Sequence, residues 1–193
     1  MRPDDLLAAY ARGLFPMDTE DEVGPIGFYY ADPRAVLPIA DLRVPGSVRR
    51  AMRRPGWEIH IDRDFAGVVR GCAAHRADGV WLTPRLARAY EDLHAAGWAH
   101  SVEVWSGGAL AGGLFGVALG GLYTSESMFH RVPDAGNLAL VAAAAHLHAR
   151  GFVLWDIQMA TPHTARFGAE RIAQSEYRRR LRDALRLRRT FAP

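Results

Sequence analysis

The chain has 193 residues, a formal charge of +3 and 49% hydrophobic content, which bounds it to one domain, or one domain with a small appendage, around a buried core. Cys72 is the only cysteine, which excludes an intramolecular disulfide and a thiolate metal cluster and fits a reducing cytoplasm. All 24 basic residues are arginine, which excludes lysine Schiff-base and P-loop lysine chemistry, and no uninterrupted apolar run approaches the ~18 residues of a membrane span.

Asp4 to Gly13 reads as a short amphipathic helix ended by glycine, left through Leu14 to Met17 into an acidic loop, Asp18 to Glu22. Gly27 to Tyr30 is short, aromatic and strand-like, and Ala31 to Arg34 turns the chain. A helix starts at Pro45 or Gly46, and Trp57 to Ile61 alternates as a strand. Phe65 to Ala74 is helical in character, and Thr83-Pro84 opens a helix that runs to about Ala96 before Gly97. Three β-like runs follow, Ala99 to Trp105, Leu110 to Leu119 and Leu122 to Met128; their short glycine linkers predict antiparallel hairpins. Asp134 is placed to cap a long, buried, alanine-rich helix to Arg150, stopped by Gly151. Phe152 to Gln158 is the next strand, Thr161-Pro162 repeats the cap signature, and Ser175 to Leu187 is a basic helix. The order predicts an α+β fold, with a small α-rich front and then a mixed, largely antiparallel sheet crossed by a helix.

Two short motifs carry the candidate chemistry. In S-E-S-M-F-H (Ser125 to His130), Glu126 sits among small residues in a run that alternates awkwardly for a surface strand. It is either an exposed strand-end glutamate or a carboxylate placed to pair with a substrate ammonium or guanidinium. In W-D-I-Q (Trp155 to Gln158), Asp156 and Gln158 share one strand face with Cα atoms roughly 7 Å apart. They are either a cap or turn, or an acid–amide pair in which Asp156 orients the Gln158 amide so that its oxygen takes up a proton from an attacking amine. The eight histidines (His60, His75, His94, His100, His130, His146, His148, His163) show no ligand spacing, so no metal is expected; His130 and His163 lie near the motifs and could reach the site. Gly112-Gly113, Gly116 and Gly120-Gly121 match no nucleotide loop and mark close approach or bulges. Trp57, Trp98 and Trp105 read as core; Trp81 and the Phe28–Tyr30 patch read as core or as stacking surfaces for a base. The clusters Arg49, Arg50, Arg53, Arg54 and Arg178, Arg179, Arg180 are solvated helix faces or a nucleic-acid surface.

Seven segments in order, Tyr10–Pro16 (Y-A-R-G-L-F-P), Asp32–Leu37, Gly79–Thr83, Ala99–Trp105, Gly112–Gly120, Ser125–His130 and Asp156–Gln158, resemble the bacterial leucyl/phenylalanyl-tRNA–protein transferases. The resemblance implies a fold related to the N-acetyltransferases without acetyl-CoA, divided into a shortened N-terminal segment, 1–40, and a catalytic domain, 41–193. It implies cytoplasmic transfer of leucine or phenylalanine, or methionine, from aminoacyl-tRNA to a protein beginning with Arg or Lys. The product is an N-end rule signal for degradation, and no cofactor, metal or membrane is implied. Asp156 and Gln158 match the family's proposed catalytic pair and Glu126 its acidic residue. Leu114, Tyr123, Met128 and Trp155 match the side-chain pocket, Ser125 joins the substrate-binding set, and Trp81 matches an aromatic near the terminal adenosine. Met17 stands where the family carries tryptophan, Asp134–Asn137 replace its N-A-S-K, and Trp155 is bulky for its place. Two other readings stay open: an acyl-CoA-dependent N-acetyltransferase, which would need an R/Q-x-x-G-x-G/A turn, and a non-catalytic tRNA-binding relative.

Overall fold

The computed structural model describes residues 1–19, 22–74 and 80–192; part of the expected acidic loop, His75 and Gly79 lie outside them. The front of the chain is helix α1 (Pro3–Ala11) followed by a two-stranded antiparallel ladder, β1 (Phe15–Met17) with β2 (Gly27–Tyr29). The residues of β1 carry no strand signal of their own. They find a partner only when Gly13 turns the chain back, at φ 79, toward β2.

The main sheet has seven strands in the order β4 (Trp57–Ile61), β5 (Ala99–Ser106), β6 (Ala109–Leu119), β7 (Leu122–His130), β8 (Leu154–Gln158), β3 (Arg34–Leu37), β9 (Glu170–Ile172). Every neighbour pair is antiparallel except β7 with β8. Those two are parallel because a helix, α5 (Ala135–Ala149), carries the chain between them, as a parallel connection requires. The strands expected from alternation and glycine linkers are present; β3 and β9 are additional to them. Arg34–Leu37 is buried at all four positions and so lacks alternation, and β9 is three residues long.

Helices cover both faces. α5 and α2 (Gly46–Met52) enclose one core, with Leu114, Tyr123, Leu140 and Trp155 inside it. On the other face α1, α3 (Phe65–Ala73) and α4 (Pro84–Ala95) enclose a second, with Tyr10, Tyr90 and Phe115. α6 (Pro162–Ala165) is a single turn, and α7 (Gln174–Leu185) packs Tyr177 and Leu181 against Val36, Leu122 and Leu154. Thr83 and Thr161 cap as expected, accepting from the Leu86 and Thr164 amides. Asp134 precedes α5 in a left-handed conformation, φ 73, and gives it no side-chain cap; its carboxylate accepts from the Asn137 amide instead. Trp98, expected in the core, is 38% exposed at the turn into β5. Among the described residues no helix is long and apolar enough to cross a membrane.

Two irregularities shape the sheet centre. Gly116 pairs with Ser125 and Phe115 with Ser127, so Glu126 is an extra residue in β7, a β-bulge. That bulge is the physical cause of the awkward alternation. It needs Gly116 opposite, where a Cβ would stand 2.2 Å from the Thr124 carbonyl oxygen. The β7–β8 ladder then ends at Thr124 opposite Asp156, while both strands run on and diverge.

Candidate active site

The gap between the diverging ends of β7 and β8 opens into a cavity of about 300 Å³. Glu126 and Gln158 lie on its rim, and Leu114, Met128, Leu140 and Trp155 form apolar wall. Ser125 accepts a hydrogen bond from the Trp155 indole at 2.8 Å, which fixes the largest wall residue. α6 closes one side with Thr161, His163 and Thr164. A larger cavity, about 670 Å³, lies beyond Met128 against Gly71, Phe129 and Arg131, and among the described residues no carboxylate or carboxamide lines it.

Asp156 and Gln158 both turn toward the layer of α1, α4 and α7, yet only Gln158 borders the cavity. Asp156 is 1% exposed. Its carboxylate receives Arg34 Nε at 2.8 Å and Nη2 at 2.5 Å, the Tyr177 hydroxyl at 2.8 Å and the Gln158 backbone N–H at 2.9 Å. A carboxylate offers about four acceptor positions, and these donors fill them. The Gln158 contact is thus through the main chain, not through the side-chain amide as the sequence suggested. Gln158 sits at φ 55, a left-handed conformation that costs a non-glycine residue ~1–2 kcal/mol. That twist sends its Nε2 to Thr124 Oγ1 at 2.7 Å and toward Glu126 Oε1 at 3.4 Å. No hydrogen bond to its Oε1 is found among the described residues, and Gln158 borders the cavity.

Glu126 receives the Tyr90 hydroxyl at 2.8 Å and the Thr124 hydroxyl at 3.2 Å. The Tyr10 hydroxyl lies 2.9 Å from Tyr90, so the two phenols form a relay ending on the carboxylate. Burial pushes the Glu126 carboxyl up to about 7, helped by the Asp156 charge and opposed by the hydrogen bonds from Tyr90, Tyr10 and Thr124. Burial disfavours the Arg34 cation, yet Asp156 more than compensates, and the guanidinium also lies over the Phe15 and Tyr177 rings.

Other expected residues fall elsewhere. Tyr123 does not reach the cavity; it is fully buried, stacked on Phe191, with its hydroxyl on the His100 carbonyl. The pleat explains this, because Tyr123 precedes the bulge and lies deeper along β7. Trp81 also lies away, half-buried beside Met17 and Leu82 in the second core. Phe28, Tyr29 and Tyr30 are exposed nearby in sequence to β1. Arg49 and Arg50 are exposed on α2, which Arg166 ties to α6 through Ser47 at 3.4 Å, and Arg53 and Arg54 are exposed just beyond its end, Arg54 lying 3.6 Å from Asp134. On α7, Arg179 and Arg180 bind Glu176 and hold its carboxyl at about 2, so much of their charge is compensated; Arg178 is exposed. Asp62, His94 and His100 approach within 4.8 Å, which the spacing did not suggest. Their hydrogen bonds lie within the protein: His94 Nδ1 on the Ala99 carbonyl, His100 on Asp62 and the Gly97 carbonyl. Sequence reasoning missed Arg34, Tyr177, Tyr10, Tyr90 and Thr124. Arg34 and Tyr10 stood inside quoted motifs, but their partners are far away along the chain.

A parallel strand pair opened by a bulge, with a carboxylate and a carboxamide over an apolar cavity, is a site suited to holding an acyl group and an amine. Similarity to known proteins gives the particular family. A profile described as leucyl/phenylalanyl-tRNA protein transferase matches residues 36–182, and that of its N-terminal domain matches residues 1–32. A leucyl/phenylalanyl-tRNA–protein transferase of Rubrobacter xylanophilus is 47% identical over 193 residues, covering 100% of this chain and 99% of that protein. One of Salinibacter ruber is 43% identical, covering 96% of this chain and 80% of that protein. The chain therefore belongs to the leucyl/phenylalanyl-tRNA protein transferase family and is an aminoacyltransferase. Among solved structures, a GCN5-related N-acetyltransferase from Kribbella flavida aligns at TM-score 0.46 and 14% identity, over 74% of this chain and 55% of that one.

Proposed function

We propose that the protein moves leucine or phenylalanine, or methionine, from aminoacyl-tRNA to the α-amine of proteins beginning with Arg or Lys, in the cytoplasm. The carrying observation is the Gln158 carboxamide and Glu126 carboxylate side by side on the rim of the apolar cavity. The amino-acid side chain occupies the pocket of Leu114, Met128 and Trp155. Leu114 and Met128 pair across β6 and β7, and Met adapts to different apolar shapes. Gln158 Oε1 accepts an N–H of the incoming amine and holds its lone pair toward the ester carbonyl. Asp156, saturated by Arg34 and Tyr177, sets the backbone of Gln158 and does not touch substrate. Glu126 pairs with the cationic amine before it reacts. An aminoacyl ester is already activated, so positioning supplies much of the acceleration. Trp81, with Tyr29 and Tyr30, offers aromatic surface to the terminal adenosine. The α2 arginines, joined to the α6 wall, suit the tRNA backbone better than the compensated Arg179 and Arg180. Segment 1–40 lends β3 to the sheet of 41–193, so the two parts act as one site.

The family assignment does not favour the acyl-CoA alternative. Labelled leucyl- or phenylalanyl-tRNA mixed with an Arg-initiated peptide tests the proposal. Label should appear in the peptide, and should not with a peptide beginning with Glu. Absence of transfer by the wild type, or full transfer by the Gln158→Ala protein, refutes it.

A further inference from the structure

The transfer reaction needs a group that removes a proton from the attacking amine, and Asp156, 1% exposed and enclosed by Arg34, Tyr177 and the Gln158 N–H, is shut away from it. Asp156 is also absent from the cavity rim. Gln158 accepts a hydrogen bond but, as a carboxamide, does not hold a proton near neutral pH. Two proton-accepting side chains remain on the cavity wall among the described residues, Glu126 and His163. His163 of α6 donates from Nε2 to Asn137 Oδ1 of α5 at 2.8 Å, whereas Glu126 lies within reach of Gln158 across the gap.

Resting on the proposed transfer, we infer that Glu126 is the general base: its carboxylate takes the proton of the attacking α-amine and returns it to the departing 3′ oxygen. The neutral amine's lone pair forms the C–N bond, and one N–H proton passes to Glu126. The tetrahedral adduct collapses, the C–O ester bond breaks with its electron pair on the 3′ oxygen, and that oxygen takes the proton back as the hydroxyl. Glu126 ends as a carboxylate, so no further reactant is required.

The surroundings favour this use. The bulge lifts Glu126 out of the β6–β7 ladder, and it borders the cavity that opens beyond the last β7–β8 pair, Thr124 with Asp156. Tyr90 from α4, itself 2.9 Å from Tyr10 of α1, holds Oε2 at 2.8 Å, whereas Oε1 has only the longer contacts from Thr124 at 3.2 Å and Gln158 at 3.4 Å and is the more weakly held edge. Asp156 from β8 repels the anion and Tyr90, Tyr10 and Thr124 favour it; Arg34 from β3 is spent on Asp156. Burial, the largest influence, sets the proton affinity near neutrality, where a general base works best.

The test is the pH dependence of kcat/KM for transfer to an Arg-initiated peptide, from pH 5.5 to 8, with wild type, Glu126→Gln, Glu126→Asp and His163→Gln. A peptide α-amine titrates at about 7.7–8.0 and contributes one ascending limb to every enzyme. A base with a pKa of about 7 contributes a second, so the wild-type logarithmic plot should rise with slope two at low pH. Glu126→Gln should drop the slope to one and lower kcat about 10²–10⁴-fold, with unchanged affinity for aminoacyl-tRNA. Glu126→Asp should restore the second limb at reduced rate, and His163→Gln should keep it. Slope two in Glu126→Gln, a loss confined to KM, or disappearance of the limb in His163→Gln overturns the assignment while leaving the transfer reading intact. A wild type that transfers nothing removes both.

Discussion

Replacing Arg34 with Met should cost more than any other single change near the site. Both Arg34 and Asp156 side chains are 1% exposed, and the pair is joined by two hydrogen bonds, at 2.8 and 2.5 Å. Removing the guanidinium leaves a buried carboxylate with only the Tyr177 hydroxyl and the Gln158 N–H. Breaking a buried pair from one side costs about 3–5 kcal/mol. Against a total stability of about 5–15 kcal/mol the protein stays folded at 25 °C but close to its limit. For a domain of this size the expected fall in Tm is about 6–20 °C. Thermal unfolding followed by circular dichroism measures it, and urea unfolding measures the loss in free energy. The Arg34→Met, Asp156→Leu double variant removes the stranded charge, so it should be more stable than the sum of the single losses predicts, by at least about 2 kcal/mol. Additive losses, or a cost below about 1 kcal/mol for Arg34→Met, would refute the view that this pair anchors β3, β8 and the twisted Gln158 backbone.

Glu126 links stability to pH. Its folded-state pKa of about 7 exceeds the ordinary 4.5, so the folded protein holds more protons between those values and stability falls as pH rises through them. The loss is roughly 3 kcal/mol by pH 8, and Glu126→Gln should flatten the curve in chemical denaturation; an equally steep curve would contradict the assignment. Gly116→Ala should destabilise by about 1–3 kcal/mol and displace the bulge, read as loss of transfer, because its Cβ would meet Thr124 and the Tyr123 ring. Trp155→Leu removes the indole held by Ser125 and should shift relative kcat/KM from leucine toward phenylalanine about tenfold; unchanged selectivity would show that the wall does not set preference. Replacing Arg49, Arg50, Arg53 and Arg54 with Ala should lower the salt slope of tRNA binding by about 0.7–0.9 for each phosphate no longer neutralised, whereas replacing Arg179 and Arg180 should change it less.

The sequence by itself determined the local elements and the chemical residues of the site. Caps at Thr83 and Thr161, glycine stops, alternation in β4 to β8 and the alanine-rich helix all follow from short-range rules, which act within a few residues. Glu126 and Gln158 stood out as polar residues in β-like runs, as did the irregular pattern that the bulge explains, whereas Leu114 and Met128 were marked only by the family resemblance. Tertiary structure alone decided which neighbours those residues have. Arg34 reaches Asp156 across 122 positions and Tyr90 reaches Glu126 across 36, distances over which no periodicity speaks. β3 and β9 are strands because the edge of β8 and then β3 offers unpaired backbone groups, not because their own side chains alternate. Burial also separated two residues that the strand period makes alike: Asp156 is enclosed and saturated, while Gln158, two positions on, stands at the opening where β7 and β8 part.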